Sequence, residues 1–274
     1  MSASATSVTE EQFKEHMLPF LSTAKRGYVS KIPLYKIFNY VLYRLHTGCQ
    51  WAKVPIEQTD EISWWAVYHH FRKWSRDGSL ERVWQHSVQT VQDALDTTVL
   101  NLDGSHGVAK KGGEAVAYQG RKKAKTSNSL PMTDHNGYIL ATTDIVAGNH
   151  NDAFQLKAQL QTAFKTIKRL GLSIAGAYFN ADSGFDTRDA RKVWFKHHVV
   201  PNIAENKRNR TSVNLGRKRL FDALVYKDRF ASERTFAWID KFRALLVRFD
   251  IKKIYFMGSH FLAFTLINLR NVLA

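Results

Sequence analysis

The chain has 274 residues and sets 40 Lys and Arg against 24 Asp and Glu, a formal charge of +16, with 44% hydrophobic residues. That balance excludes a disordered chain and points to a polyanionic partner, nucleic acid before a membrane surface, because no cationic amphipathic helix stands apart. A single cysteine, Cys49, excludes an internal disulfide and a cysteine-rich zinc module.

In chain order, residues 1 to about 95 read as helical. The opening residues lack a basic region followed by an apolar run, so no signal peptide is expected. Pro33 opens a segment whose Leu34, Ile37, Phe38, Val41, Leu42 and Leu45 recur at helical spacing, with Gly48 just past its end. Ser63 is placed to cap a second helix bearing Trp64, Val67, Tyr68, Phe71 and Trp74, closed by Asp77-Gly78. A third carries Leu80, Val83, Trp84, Val88, Val91 and Leu95. Short helices with tight connections suit a helix-turn-helix-like module, and Arg72, Lys73 and Arg76 are placed to reach phosphates. A helical lid that only packs on the next domain remains the competing reading.

The pattern changes near Thr97. TTVLNLDGS alternates with β-branched residues and stops at a turn. Residues 116–130 form a further strand candidate, interrupted by basic residues. GYILATTDIVAG reads as a strand entered through an Asn136-Gly137 hairpin turn. Then come a helix over 152–170, a strand ending at Asp182, a helix from Asp186 to His197 and a short strand in HVVPNI. A basic loop leads into a long helix from about Asp228 to Phe249, and an apolar helix over 258–272 is expected to pack on the core. The longest apolar run, Phe261 to Leu269, is too short to span a bilayer, so a cytoplasmic, nucleoid-associated protein without a membrane is expected. Three strands followed by alternation with helices predict an α/β class: an RNase H-like mixed five-stranded sheet flanked by helices, after an all-helical, helix-turn-helix-like N-terminal region. The expected domains are 1–95, a helical DNA-binding region, and 96–274, the α/β region.

Two aspartates occupy comparable positions. Asp103 follows Val99–Leu102 and precedes Gly104; Asp182 follows Tyr178–Ala181 and precedes Ser183-Gly184. Ligand sites gather at strand ends in such folds, and two like charges on neighbouring strands are unfavourable unless a cation lies between them. Mg²⁺ takes carboxylate oxygens and substrate phosphates, and two ions roughly 3.5–4 Å apart suit in-line phosphoryl displacement. Mn²⁺ is an expected substitute. Glu233, early in the long predicted helix, is the third candidate ligand. Two basic runs flank this acidic set. One includes Lys123 and Lys125, the other Lys207, Arg208 and Arg210, and both are expected to contact DNA phosphates. His106 and His150 show no metal-ligand spacing and are assigned to loop or substrate contacts.

These blocks resemble an insertion-sequence DDE transposase of the insertion-sequence-five family over nearly the whole chain. LYRLHTGCQWAKVP and VYHHFRKWSRDGSLERVW resemble its N-terminal helices. LDGSHGVAKKGGEAVAYQGRKKAKT and NADSGFDT resemble its two aspartate blocks. DHNGYILATTDIVAGNHNDAFQL resembles the strand and Gly-x-x-x-Asp loop between them. In YKDRFASERTFAWIDKFR, Tyr226, Arg229 and Glu233 fit the family's Tyr-x₂-Arg-x₃-Glu-x₆-Lys signature. The fourth position holds Asp240, and the lysine comes one residue late, at Lys241.

The resemblance implies Asp103, Asp182 and Glu233 as catalytic metal ligands for two ions. It also implies Tyr226, Arg229 and Lys241 as contacts to the element's inverted-repeat ends, and a homodimer or larger assembly on end and target DNA. The short interval from Asp182 to Glu233 leaves no room for a large inserted domain. On a continuous helix Asp240 shares a face with Glu233 and pairs with Arg243. An inactive DNA-binding relative and an RNase H-like nuclease are the alternative functions at this point.

Overall fold

A computed structural model describes residues 6–23, 30–204 and 220–273. In chain order the elements begin with helices α1 (Glu10–His16), α2 (Leu34–Thr47), α3 (Trp64–Arg76) and α4 (Ser79–Thr90). Strands β1 (Val99–Leu102), β2 (Ser105–Ala109), β3 (Ala117–Gln119), β4 (Ala124–Ser129), β5 (Pro131–Thr133), β6 (Ile139–Thr142) and β7 (Val146–Ala147) follow. Then come α5 (Leu156–Arg169), β8 (Tyr178–Asn180), α6 (Arg188–Lys196) and β9 (Val200–Asn202). The chain ends with α7 (Ala223–Lys227), α8 (Phe230–Ile239), α9 (Arg243–Leu246), β10 (Val247–Arg248) and α10 (Lys253–Asn268). No helix among the described residues is long and apolar enough to cross a membrane.

Two compact units emerge. One comprises residues 1–92, 106–127 and 237–274; the other, 93–105 and 128–236. The second unit holds the sheet β6-β5-β1-β8-β9. β1, β8 and β9 run parallel, whereas β5 and β6 form an antiparallel hairpin beside β1. Numbered within this sheet the order is 3-2-1-4-5, with the first, fourth and fifth strands parallel: the RNase H-like arrangement expected from the element order. The hairpin turns at Gly137 with φ +81°, and the Asp134 carboxylate accepts from the Tyr138 amide at 2.7 Å. The core beneath the sheet is aromatic: Phe179 meets Trp194 of α6 at 5.1 Å and Phe164 of α5 at 6.2 Å, centroid to centroid.

The second strand of this sheet is β5, not the 116–130 stretch. Pro131, Met132 and Thr133 are buried, which suits an inner position. Tyr118 and Lys125 are instead exposed and face each other across β3 and β4, which needs a solvent face. Those strands build a second sheet, β10-β2-β4-β3, that the sequence pattern did not announce.

The first unit is held by α10, which is long, apolar on nearly all sides and packed on α3 and α4. Phe261 stacks on Trp84 at 5.2 Å, and Gly258 lies so close to Ser75 of α3 that a Cβ there would clash. The predicted caps hold: Ser63 Oγ accepts from the Ala66 amide, and Gly48 ends α2 in the left-handed conformation at φ +65°. Arg248, 1% exposed, gathers the loops around the second sheet by donating to Glu114 O (2.8 Å), Asp250 O (2.7 Å) and Ile251 O (3.2 Å).

The long helix expected from Asp228 to Phe249 is broken. α8 ends at Ile239, Asp240 and Lys241 form a turn, and four residues of α9 lead into β10. Asp240 therefore does not share a helical face with Glu233, and the expected helical pair with Arg243 has no helix to carry it. Packing decides this: Phe242, 0% exposed, is drawn into the core against His46, 4.7 Å between ring centroids.

Candidate active site

The second unit places two acids side by side. β1 and β8 are paired in parallel with Asn101 opposite Asn180. Asp103 and Asp182 each lie two residues beyond that pair, just past the ends of strands about 4.8 Å apart, and Asp182 acts on Asp103 as a like charge. Each carboxylate is fixed the same way, accepting from the amide of the next residue: Gly104 N to Asp103 Oδ1 at 2.8 Å, Ser183 N to Asp182 Oδ1 at 2.7 Å. The match follows from sequence, since an aspartate leaving a strand before a small residue readily closes such a turn.

A positive charge answers them. Arg229 Nη2 lies 3.6 Å from Asp103 Oδ2, with the two side chains 24% and 28% exposed. Its Nη1 donates to the Tyr226 hydroxyl at 2.6 Å, and the guanidinium lies 5.3 Å from that ring's centre. Burial works against the Arg229 charge, but the Tyr226 hydroxyl and then Asp103 and Asp182 outweigh it and hold its pKa above the ordinary arginine value. The Asp103 carboxyl is pushed up. Burial is the main cause, with Asp152 and Asp182 adding like charge, against the opposing pull of the Gly104 amide and Arg229.

Asp152 is a participant that the sequence reading did not single out. It sits in the loop before α5, Asn128 donates to its Oδ1 at 2.5 Å, and any side chain at position 104 would collide with it. The signal was the Gly-x-x-x-Asp loop, whose approach to Asp103 only folding creates. His150 of the same loop stacks on Phe154 at 3.6 Å.

An asparagine ladder supports the site from within the sheet. Asn101, Asn180 and Asn202 lie abreast on the three parallel strands and are at most 1% exposed. Asn180 Nδ2 donates to Asn101 Oδ1 at 3.1 Å and to Val225 O at 2.9 Å; Asn202 Nδ2 donates to Asn180 Oδ1 at 2.9 Å and to Asp222 O at 3.0 Å. The ladder thereby ties α7, which carries Tyr226 and leads to Arg229, to the strands carrying both aspartates.

Among the predicted residues, then, Asp103, Asp182, Tyr226 and Arg229 come together. Glu233 is exposed in the first turn of α8. Among the described residues no three His, Cys, Asp or Glu converge closely enough to hold a metal ion. Lys123, in the turn between β3 and β4, and Lys125, on β4, are exposed residues of the first unit, as is Lys241. Lys207, Arg208 and Arg210 lie outside the described residues.

The raised pKa of Asp103 has a thermodynamic consequence. A carboxyl whose folded pKa exceeds its unfolded one favours the fold below the unfolded pKa, and that contribution is lost as pH rises through the folded pKa. In metal-free buffer, Asp103→Asn is therefore expected to melt higher than the parent at pH 7.5. The gap should close as pH falls through the carboxylate range. Equal melting temperatures at pH 7.5 would show that the charge is not under strain.

A family model described as a transposase of the IS4/5 family (DUF4096) matches residues 8–84, and the model of the DDE superfamily endonucleases matches residues 95–268. No curated protein matches the chain. Among solved structures, the Mos1 transposase paired-end complex with left transposon end is similar at 13% identity and TM-score 0.32, over 91% of this chain and 81% of that one. The Mos1 mariner paired-end complex with Mn is similar at 13% identity and TM-score 0.30, over 91% and 82%.

Proposed function

Because this chain belongs to the DDE superfamily of endonucleases, as a transposase of the IS4/5 kind, we propose that it cuts DNA at the ends of an insertion sequence and transfers the freed strands into target DNA. The observation that carries this reading is that Asp103 and Asp182 leave adjacent parallel strands close enough to act on each other as like charges, inside a chain of charge +16.

The superfamily implies a divalent metal, and the donor set fits one. The site offers two hard carboxylates, one strained by burial and by like charges that a cation would relieve. Asp103 and Asp182 would hold a pair of Mg²⁺ ions, with Mn²⁺ as a substitute, and Glu233 would complete the set. Bound ions of this kind supply Lewis-acid stabilisation of the phosphate charge and a more acidic water. The chain does the rest. Arg229, braced by Tyr226, offers guanidinium donors to a phosphate beside Asp103. Lys241, Lys123, Lys125, Lys207, Arg208 and Arg210 are the further candidate contacts to DNA phosphates. Residues 1–95 would recognise the inverted-repeat ends and 96–274 would cut, within a homodimer or larger assembly on paired ends.

A second reading concerns the third carboxylate alone. Asp152 acts electrostatically on Asp103, whereas Glu233 faces solvent. Incubating the protein with a labelled element end and Mg²⁺ separates the two. Under the first reading Glu233→Ala binds the end but stops cutting, and Asp152→Ala still cuts, at a higher Mg²⁺ requirement. The reverse outcome assigns the ligand to Asp152. Undiminished cutting by Asp182→Ala would sink the site as a whole.

A further inference from the structure

A cavity of about 970 Å³ in the first unit is lined by α2 and the loop after it, α3, Lys111 after β2, the loop after β10 and the start of α10. We propose that it is a binding site for an unpaired nucleotide of DNA, a proposal that rests on the DNA reading above and adds a subsite to it.

Aromatic faces come first. Trp51 and Trp65 flank Tyr68 at 5.0 and 5.7 Å, Tyr255 lies beyond it at 6.4 Å, and Trp65 leaves 51% of its surface exposed. Cations interleave with them. Arg72 lies 5.5 Å from the Tyr68 ring and Arg76 5.4 Å from Tyr255, and Lys111 and Lys252 also line the cavity. Among the described lining residues the acid is Asp250, already approached by Arg44 Nη2 at 3.4 Å.

Arg44 points to the ligand's chemistry. It lines the cavity, is 5% exposed, and its Nε and Nη1 are buried with no hydrogen-bond partner among the described residues. An arginine cannot shed its charge, and buried donors without acceptors are costly. A phosphate oxygen would satisfy them, and an aromatic base would stack on the exposed Trp65 indole. In a duplex the base faces are covered by their neighbours, so only a base out of the stack can use such a concave aromatic lining. A tract of acidic side chains alone could meet the cations but has no ring to stack.

Cys49 lines the cavity and is the chain's single cysteine, so its alkylation reports occupancy. The full-length protein, in EDTA so that no strand is cut, is labelled with iodoacetamide alone or with one of four probes. These are a short single-stranded oligonucleotide, its blunt duplex, inorganic phosphate and polyglutamate. The single strand should slow labelling several-fold more than any other probe at equal phosphate or carboxylate concentration. Trp65→Ala, at an exposed position, should weaken that protection about tenfold while duplex binding is unchanged. Equal protection by phosphate would reduce the cavity to an anion site, and equal protection by polyglutamate would make it a peptide site. No protection, or no effect of Trp65→Ala, would leave it without a nucleotide; each of these results overturns the proposal. A protein that cuts ends while Cys49 stays unprotected loses only this inference. One that protects Cys49 but cuts nothing loses only the cleavage reading.

Discussion

Asp103→Ala is expected to bind element-end DNA with nearly unchanged affinity yet cut it at least about a thousandfold more slowly, as the loss of several kcal/mol of charge stabilisation implies. The reason is position. Asp103 is the more buried of the two strand-end acids and the one on which Arg229, Asp152 and Asp182 all act. Removing it takes away a proposed metal ligand and leaves Arg229 without the carboxylate 3.6 Å away, free to drift toward Asp182. Asp103→Asn separates these effects, because it keeps the shape and loses the charge. Both variants should fold at least as well as the parent in metal-free buffer, since the ionised group is strained there. Cleavage is read on a labelled end with Mg²⁺ and binding by gel shift. A variant that cuts within tenfold of the parent would remove Asp103 from the catalytic set.

Asn180→Leu is expected to cost about 3 kcal/mol or more of stability and to lose cleavage at temperatures where it remains folded. The substitution leaves Asn101 Oδ1, Val225 O and Asn202 Nδ2 without the partners that Asn180 gives them, all in the sheet interior or at its edge. A buried polar group left unpaired costs about 1–3 kcal/mol. A loss of this size lowers the melting temperature of a unit of this length by about 10 °C, which circular dichroism resolves. The catalytic consequence has a separate cause. The Asn180–Val225 bond fastens the segment bearing Tyr226 and Arg229, and Asn202, which holds Asp222, loses its brace on Asn180, so the substitution should blunt cleavage more than DNA binding. An Asn180→Leu variant that melts with the parent and cuts normally would show that the ladder is neither structural nor positioning.

Much of the site was legible before folding, for physical reasons. An aspartate at the end of an apolar strand, before a small residue, has few conformations open to it, and both Asp103 and Asp182 close the turn that local chemistry predicts. Caps and left-handed glycines are equally local, which is why Ser63 and Gly48 stand where the spacing put them. The broken helix after Ile239 shows the limit of that reasoning. Residues 228–249 have helical periodicity, but the burial of Phe242 against His46 outweighs the few tenths of a kcal/mol per residue that propensity contributes. Hence Asp240 left the face on which a continuous helix would have put it beside Glu233.

By itself the amino-acid sequence determined β1, β6, β8 and β9 with α5 and α6 between them, the positive charge, the two strand-end aspartates and the Tyr226–Arg229–Glu233 spacing, because each depends on neighbours a few residues away. Tertiary structure alone decided that Asp152 approaches Asp103, that Asn101, Asn180 and Asn202 align across three strands, and that α10 joins the N-terminal helices. Those are contacts between residues tens to hundreds of positions apart, selected by strand register and by the burial of Trp84, Phe242 and Phe264, which no local pattern encodes.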